Sequence, residues 1–468
     1  MAAEFETALA YAKDNIDISF KLKDKQEETL KTVFAGRDCI AVLPTGYGKS
    51  LIFQLLPFLL QRDRPAPGIV IVVSPLNSLM QDQVISLCEK GVKACFLNCQ
   101  GYAGNTFRIV TRHIVGDEND KLEEGDGEPS ETDVHAPVHV SMADLRKGVY
   151  NLVYAHPETL VNNKTVGTML RSKIYQDSVC AVAIDEVHMI SEWGPKFRTA
   201  FHKLSEVICI FPDAAHLALT ATATPAAVKT LASNLQFTDH GLVTINPDHP
   251  NIYLEVKTRL PNIRKFDKLD DLIHPLAQEH SKLADFPVTI VYINNDADLG
   301  YSYQYVARYL GQDGYLPKDC PTPENRLFAQ FHKDYTEAMK LHIIQELRKQ
   351  SPKLRLVLAT VALGMGLNAP SIARVMHFQP PTTLEKYFQE IGRAGRSGQP
   401  SSAVLFYNKS DIAANREDMT DAMVQYCVTK ECLRLHLVSY FGFDSVLFNG
   451  DSDHCCSNCR TKKGSCLS

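Results

Sequence analysis

Short apolar runs alternate with segments of helical period along most of the chain, and this alternation limits the possible folds more than any other feature. Five runs lie in the first half: "DCIAVLP", "GIVIVVSP", "YNLVYAHPE", "VCAVAIDE" and "HLALTATAT". They are rich in Val, Ile and Ala and almost continuously apolar, as buried parallel strands are. Residues 50–61 and 76–90, between the runs, follow a helical period. The pattern predicts a βαβ sheet covered by helices on both faces.

A second series of apolar runs begins near residue 250 with "VTIVYIN", "LRLVLAT", "RVMHFQ" and "SAVLFYN". At 468 residues the chain is also too long for one ordinary core. We therefore predict an α/β protein with two tandem domains, residues 1–245 and 246–410, and a small cysteine-rich subdomain at 411–468. Residues 116–134 are acidic and poor in apolar side chains, and we interpret them as a surface insertion.

Composition and charge limit the classes of protein to which this chain can belong. The chain has 45% hydrophobic and 22% charged residues, as a globular protein does, and a formal net charge of -5. This charge gives no global basic field, but a local basic channel for nucleic acid remains possible. The N-terminus lacks the pattern of a secretory signal, and the longest apolar run, residues 51–60, is too short to span a bilayer. The sequence favours an intracellular protein.

The run "TGYGKS" within "AVLPTGYGKSLIFQ" has the pattern of a phosphate-binding loop. It follows an apolar strand and precedes a helix-like segment, which is the context that such a loop requires. Gly46 and Gly48 would let backbone amides turn toward the phosphates of ATP, Lys49 would reach the β- and γ-phosphates, and Ser50 would coordinate Mg²⁺. The general motif has a glycine where this chain has Leu43, so the loop needs support from the rest of the chain.

The run "AVAIDEVHM" places two carboxylates at the end of a buried strand. Open α/β sheets bind ligands at that end of their strands. Asp185 could hold Mg²⁺, and Glu186 could orient and activate water for attack on the γ-phosphate. The alternative is a helix cap, and His188 two positions later could be an ordinary core histidine.

The run "EIGRAGRSG" places Arg393 and Arg396 among glycines. Arginine stabilises the charge of a phosphoryl-transfer transition state, often from a different element than the phosphate loop. A basic turn is the alternative for this motif alone. Three phosphate-chemistry motifs in this order favour a working nucleotide site.

With these motifs in place, the sequence resembles the RecQ family of superfamily-two DNA helicases from about residue 20 to residue 460. The runs that carry the resemblance are "LPTGYGKSLIFQLLP", "VSPLNSLMQDQV", "DEVHMISEWGPKFR", "LTATAT", "LATVALGMGLNAPSIARVMHF" and "YFQEIGRAGRSG". The tail "HCCSNC" is similar to the Werner- and Bloom-type eukaryotic members. The resemblance implies two RecA-like domains, ATP-dependent 3′ to 5′ unwinding of DNA, a nuclear location, and a role in repair, recombination or replication.

The resemblance also implies nucleotide-site roles. Gln26 matches the glutamine that reads adenine, and Arg396 is our choice for the arginine finger, with Arg393 beside it. His188 and Gln389 match residues that couple hydrolysis to DNA binding. Other residues match family positions that contact the phosphates, Mg²⁺ or the attacking water, or that contact both the nucleotide and the DNA strand. They are Thr45, Gly46, Gly48, Lys49, Ser50, Asp185, Glu186, Gly364 and Gly366.

DNA contacts are expected from three segments. "SEWGPKFR" resembles the family's aromatic-rich loop, and its Trp193, Phe197 and Arg198 suit base stacking with a phosphate contact. Here Glu192 replaces the usual glutamine of that loop. Core packing is the alternative for a lone tryptophan. Short polar side chains at strand ends suit contacts with the phosphate backbone, although some could be ordinary strand residues; they are Ser74, Asn77, Gln83, Thr220 and Thr222.

The C-terminal segment carries six of the thirteen cysteines, within residues 427–466. Four thiolates favour Zn²⁺, and the spacing in "CSNC" lets two thiolates face one metal. Cys427, Cys466 and His454 lie near enough to compete as ligands. The family pattern selects Cys432, Cys455, Cys456 and Cys459 as a closed structural zinc site.

Other functions remain open at this point. Many relatives continue into a winged-helix domain, for which this sequence has no room, so a DNA-stimulated ATPase or translocase that unwinds weakly is one alternative. A non-catalytic DNA-binding scaffold is another, against which the intact phosphate-site residues argue. An RNA helicase is a third, which the zinc tail and "SEWGPKFR" disfavour.

Overall fold

A computed structural model describes residues 2–61, 66–75, 77–99, 107–110, 142–187, 204–260, 267–280, 286–364 and 369–465. The chain forms two compact units. The first comprises Met1–Leu43, Gly48–Ala221 and Ala226–Thr244, and the second comprises Pro44–Tyr47, Thr222–Pro225 and Ile245–Ser468.

The first unit is built on an eight-stranded sheet in the order β4-β3-β5-β2-β6-β7-β1-β8. The strands are β1 Asp38–Val42, β2 Ile69–Val73, β3 Ala94–Cys99, β4 Phe107–Val110, β5 Leu152–Ala155, β6 Val179–Ile184, β7 Ala215–Thr220 and β8 His240–Thr244. All neighbouring strands are parallel except the edge pair β3 and β4. The five apolar runs of the first half form β1, β2, β5, β6 and β7, as predicted. The antiparallel edge pair was not predicted.

Helices precede and follow these strands, and the apolar strands are buried because both faces of the sheet are covered. The two helices expected from the sequence are present as α3 and α4. The helices in this part of the chain are α1 Ala2–Asn15, α2 Asp24–Phe34, α3 Lys49–Leu59, α4 Asn77–Glu89, α5 Met142–Arg146, α6 Pro157–Asn162, α7 Lys164–Leu170, α8 Lys173–Ser178, α9 Leu204–Ile210 and α10 Pro225–Asn234.

The second unit has a six-stranded parallel sheet in the order β11-β12-β10-β13-β14-β9. Its strands are β9 Ile252–Thr258, β10 Thr289–Tyr292, β11 Phe328–Phe331, β12 Leu356–Ala359, β13 Arg374–His377 and β14 Ser401–Tyr407. Its α-helices are α11 Asp267–His280, α12 Asp296–Leu310, α13 Glu337–Arg348, α14 Leu384–Ile391, α15 Asp421–Val428, α16 Leu433–Tyr440 and α17 Ser457–Ser465. Short 3-10 turns lie at Gly311–Gly314, Pro323–Asn325, Val361–Gly364 and Ser452–His454.

The cysteine-rich segment packs directly on this sheet. Side chains of α15, α16 and the cysteine cluster share one apolar core with β9, β14 and α14. Cys456 forms a parallel bridge with Leu254, so the segment also covers part of the edge strand β9. The predicted fold class, two parallel-sheet α/β domains with a small helical cysteine-rich subdomain, is confirmed. Among the described residues, no helix is long and apolar enough to cross a membrane.

Candidate functional site

The loop between β1 and α3 has the backbone that its sequence predicted. Gly46 has φ of 81° and Gly48 has φ of 90°, in the left-handed region that favours glycine. Lys49 opens α3, is 9% exposed, and its Nζ donates to the carbonyl oxygen of Leu43 at 3.2 Å. A buried ammonium beside a helix N-terminus can receive phosphate oxygens. The loop therefore has the chemistry of a phosphate site.

Gln26 lies on α2 and supports this loop directly. Its Nε2 donates to the carbonyl oxygen of Gly48 at 3.0 Å, and its Oε1 accepts from the backbone amide of Lys23 at 2.9 Å. A Cβ atom on Gly48 would lie 2.6 Å from Gln26 Nε2. Glycine is thus required at position 48 both for its φ angle and for the approach of Gln26. The adenine-reading role of Gln26 stays a prediction.

Asp185 and Glu186 follow β6 at its carboxyl end. Asp185 is 3% exposed, its backbone amide donates to the carbonyl oxygen of Val73 at 2.9 Å, and its Oδ1 accepts from the amide of Glu186 at 3.0 Å. Glu186 has φ of 51°, an uncommon angle for a residue with a side chain and one that clusters at functional sites. The backbone thus fixes both carboxylates at the end of the sheet where Lys49 also lies.

The electrostatics of Asp185 suit a site that binds a cation. Burial, followed by the charge of Glu186, raises the pKa of Asp185 from 3.8 to about 7, although Lys49 and the backbone amide of Glu186 act against this rise. A divalent cation would favour the ionised carboxylate. Asp185 and the Ser50 hydroxyl are oxygen ligands of the kind that Mg²⁺ prefers, so these residues fit the predicted ion.

Gln83 was predicted to contact DNA, but its Nε2 donates to Ser50 Oγ at 3.1 Å. Gln83 therefore orients the hydroxyl of the phosphate loop, a contact that the sequence did not indicate. Ser74, Thr220 and Thr222 are 2%, 0% and 3% exposed. Their hydroxyls are buried in this conformation, and their predicted contacts with a DNA backbone would require these strand ends to become accessible.

In the second unit, Arg393 and Arg396 lie in residues 392–398, which we call the arginine turn. Gly395 in this turn has φ of 67°, and its amide donates to the carbonyl oxygen of Ile372 at 2.9 Å. Arg393 is 6% exposed and Arg396 is half-buried. Burial raises the pKa of Tyr292 to about 12, and both arginines act against this rise, so both guanidinium groups lie near that phenol.

Other predicted residues are placed as follows. Gln389 on α14 donates from Nε2 to Thr222 Oγ1 at 3.1 Å, and both residues belong to the second unit. Gly364 ends a 3-10 turn, Thr45 lies in the phosphate loop, and Asn77 begins α4. Predictions that lie outside the described residues concern the acidic segment 116–134 and His188, Trp193, Phe197, Arg198 and Gly366.

The four cysteines selected by the family pattern lie together. The Sγ atoms of Cys432, Cys455, Cys456 and Cys459 are all within 4.8 Å of one another, and those of Cys432 and Cys455 are 3.7 Å apart. A disulfide would need about 2.05 Å. Four sulfurs at about 2.3 Å from a tetrahedral ion would be about 3.8 Å apart, so this donor set fits Zn²⁺.

The surroundings of the cluster hold the thiols in place. A hydrogen bond from the Cys432 thiol lowers the pKa of Cys456 to about 4 against the effect of burial, with help from backbone amides. Asn458 Nδ2 donates to the carbonyl oxygens of Thr429 and Glu431 at 2.9 and 2.8 Å. Asn458 therefore joins the "CSNC" turn to the segment that carries Cys432.

Arg434 is a residue that sequence reasoning did not single out as important. It is among the largest fully buried side chains of the described residues, and its Nη1 contacts Asp248 Oδ1 at 2.5 Å. The only sequence signal is an arginine within the apolar helix "LRLHLVSY", because its carboxylate partner is far away in sequence. A fully buried arginine needs such a partner.

Comparisons with known proteins identify related families. The chain matches three family descriptions: DEAD/DEAH box helicase over residues 23–231, helicase conserved C-terminal domain over 265–398, and RecQ zinc-binding over 401–460. The first range includes the phosphate loop and the Asp185 carboxylate, the second includes the arginine turn, and the third includes the four clustered cysteines.

Two curated relatives and one solved structure illustrate the similarity. The chain is 30% identical over 454 residues to the mouse bifunctional 3′-5′ exonuclease/ATP-dependent helicase WRN, and 28% identical over 432 residues to the ATP-dependent DNA helicase RecQ of Haemophilus influenzae. These matches cover 92% and 89% of this chain but only 27% and 58% of the relatives.

The structure of the DUF1998 helicase MrfA bound to DNA and AMPPNP is similar to this chain with a TM-score of 0.62 at 17% identity, over 95% of this chain and 54% of that one. At this identity the likeness concerns the fold alone. Together, the three family matches, the relatives and the cysteine cluster show that the chain belongs to the RecQ family of superfamily-two helicases.

Proposed function

We propose that the protein is an ATP-dependent DNA helicase that moves 3′ to 5′ along one strand and separates the duplex. The observation that carries the proposal is the meeting of Lys49, Ser50 and the buried Asp185 at one end of the first sheet. Lys49 lies close enough to Asp185 to act against the rise in its pKa. A cation, an anion-binding loop and a buried carboxylate in one place suit nucleotide hydrolysis better than a scaffold.

Each residue of the nucleotide site would have a separate role in ATP hydrolysis. The loop amides from Thr45 to Gly48 and the Lys49 ammonium would bind phosphates, and Ser50 with Asp185 would hold Mg²⁺, which neutralises charge on the phosphates when bound. Glu186 would orient the attacking water and accept its proton. Gln83 keeps the Ser50 hydroxyl oriented. In the second unit, Arg396 would act as the arginine finger.

The remaining roles rest on the family. Gln26 would read adenine, Gln389 and His188 would couple hydrolysis to DNA binding, and Gly364 and Gly366 would link nucleotide and strand. DNA contacts are proposed for Asn77, Gln83, Trp193, Phe197 and Arg198, and, when accessible, for Ser74, Thr220 and Thr222. Zn²⁺ would be structural, since four protein ligands leave no open position. We also propose nuclear DNA repair, recombination or replication as the setting.

Strand separation tests the proposal directly. Wild type and Lys49→Ala are compared on a 3′-tailed DNA duplex, a 5′-tailed DNA duplex and a 3′-tailed RNA duplex, with ATP and Mg²⁺. We expect wild type to unwind only the 3′-tailed DNA and Lys49→Ala to unwind none. Unwinding of the 5′-tailed duplex alone would refute the direction, and preference for RNA would refute the substrate.

A second assay separates a helicase from a translocase. Turnover of ATP is measured with and without single-stranded DNA for the same two proteins. DNA-stimulated turnover without unwinding would indicate a translocase. No turnover by wild type would instead favour a non-catalytic DNA-binding scaffold. Equal turnover by Lys49→Ala would refute the assignment of the nucleotide site.

A further inference from the structure

We propose that Arg434 and Asn251 are positioning residues for the arginine turn, and that residues 248–252, which we call the strap, connect this turn to the zinc-binding segment. The inference rests on the proposed function, because it assumes that Arg396 acts on phosphate. All contacts that carry it lie within the second unit. Neither residue would touch the nucleotide itself.

Arg434 fixes one side of the strap. Its Nη1 donates to Asp248 Oδ1 at 2.5 Å and to the carbonyl oxygen of His249 at 2.8 Å, and its Nη2 donates to the carbonyl oxygen of Ile252 at 2.5 Å. Nη2 also lies 3.3 Å from the carbonyl oxygen of Cys455. Both side chains of the ion pair are 2% exposed. If one charge were removed, water could not take its place beside the other.

The same carboxylate holds the chain that leads to the cysteine cluster. Asp248 Oδ2 accepts from the backbone amides of Leu447 and Phe448 at 2.6 and 3.1 Å. The Phe448 ring lies against the Arg434 guanidinium, 5.0 Å from centroid to Cζ. Arg434 is two residues after the zinc ligand Cys432 and contacts the backbone of Cys455, so the strap is tied to the metal-binding segment at several points.

Asn251 fixes the other side of the strap to the arginine turn. Its Nδ2 donates to the carbonyl oxygens of Gly395 and Gln399, both at 2.9 Å. The contact leaves no space for a side chain at position 395, because a Cβ atom there would lie 2.3 Å from Asn251 Nδ2. The amide therefore holds the backbone of the residue directly before Arg396.

The turn needs such support because of its own sequence. Gly392, Gly395 and Gly398 interrupt it, and glycine permits many backbone conformations. A catalytic side chain displaced by about 1 Å can cost about a hundredfold in rate. We infer that the strap fixes the turn so that Arg396 keeps one orientation.

The test compares Asn251→Leu and Arg434→Met with a control variant at Arg259. This residue directly follows β9, the strand into which the strap leads. Arg259 lies seven residues after the strap and forms a buried ion pair with Asp411 at 2.6 Å. Arg259→Met therefore removes a buried guanidinium of the same type as Arg434→Met does. Each variant is assayed for melting temperature, zinc per chain, affinity for a fluorescent non-hydrolysable ATP analogue, and the kcat of DNA-stimulated ATP turnover.

We expect kcat to fall at least tenfold in Asn251→Leu and Arg434→Met, while analogue affinity changes less than threefold and zinc content stays at one per chain. Arg259→Met should lose melting temperature as Arg434→Met does but keep kcat within twofold of wild type. The inference is overturned if Asn251→Leu keeps normal kcat, or if the control loses as much kcat. Should Asn251→Leu fail to fold, Asn251→Ala removes the same donors without added volume.

Arg396→Ala in the same assay separates this inference from the proposed function. Loss of turnover in Arg396→Ala with normal turnover in Asn251→Leu would overturn the positioning role alone. Normal turnover in Arg396→Ala would overturn the arginine-finger assignment and the positioning role with it.

Discussion

Replacing Asp185 by asparagine should abolish ATP turnover yet stabilise the ligand-free protein at alkaline pH. The Asp185 carboxyl is fully enclosed at the end of β6, and burial followed by the charge of Glu186 raises its pKa from 3.8 to about 7. Asparagine has nearly the same shape and carries no charge. The substitution therefore removes the cost of burying an ionised carboxylate, a cost that Lys49 offsets only in part when Mg²⁺ is not bound.

The pH dependence follows from the raised pKa. The folded chain binds this proton more tightly than the unfolded chain does, so the contribution to stability is complete below about pH 4 and is lost as pH rises to 7. About three pH units correspond to about 4 kcal/mol, and the buried amide of asparagine costs about 2 kcal/mol in lost partners. Asp185→Asn should thus be about 2 kcal/mol more stable than wild type at pH 8 and within about 0.5 kcal/mol of wild type at pH 5, where the two costs nearly cancel.

Urea unfolding at pH 5 and pH 8 measures this change, followed by the fluorescence of Trp193, the single tryptophan. Asp177→Asn is the control, because Asp177 is exposed and the same charge is removed; its effect should stay within about 0.5 kcal/mol at both pH values. Saturating Mg²⁺ and non-hydrolysable ATP should stabilise wild type by about 3 kcal/mol and the variant much less. A stability difference that is the same at both pH values would refute the electrostatic reasoning.

Three further predictions concern single sites. Lys49→Ala should remove ATP turnover while zinc content and circular dichroism stay unchanged, and retained turnover would contradict the site. Gly48→Ala should lose at least tenfold in nucleotide affinity, because the new methyl displaces Gln26; unchanged affinity in a fluorescence titration would contradict this. Cys456→Ser should lose bound zinc, measured by a colorimetric chelator, and lower the melting temperature of the second unit, whereas Cys209→Ser at an exposed site should do neither.

The strands that the sequence predicted are those whose burial does not depend on distant partners. Strands such as "IVIVV" of β2 are apolar at every position, because helices cover both faces of the sheet there. β9 was not predicted because its run "IYLEVKT" alternates buried with partly exposed residues. Its burial comes from β14, about 150 residues later, and from Cys456, about 200 residues later. Local sequence does not show that such partners exist.

The site residues likewise fall into two groups: those that local sequence indicates and those whose contacts are distant in sequence. Lys49 and Asp185 could be found because their roles depend on a local context, a glycine loop before a helix and a carboxylate after an apolar strand. The contact of Gln83 with Ser50 could not be predicted, because the two residues are 33 positions apart and lie on different helices. Arg434 and Asp248 are 186 residues apart, and neither neighbourhood predicts an ion pair.

The relation of the cysteine cluster to the second sheet has a physical consequence. Cys455 and Cys456 belong to the same apolar core as Ile252 and Leu254 of β9, and Cys456 bridges to this edge strand. An uncovered edge strand exposes unpaired backbone groups. Zinc that holds the four thiols together would thereby also keep β9 covered and the strap in place. Loss of the metal should therefore loosen the arginine turn, because the strap contacts both the cysteine segment, through Arg434, and the turn, through Asn251.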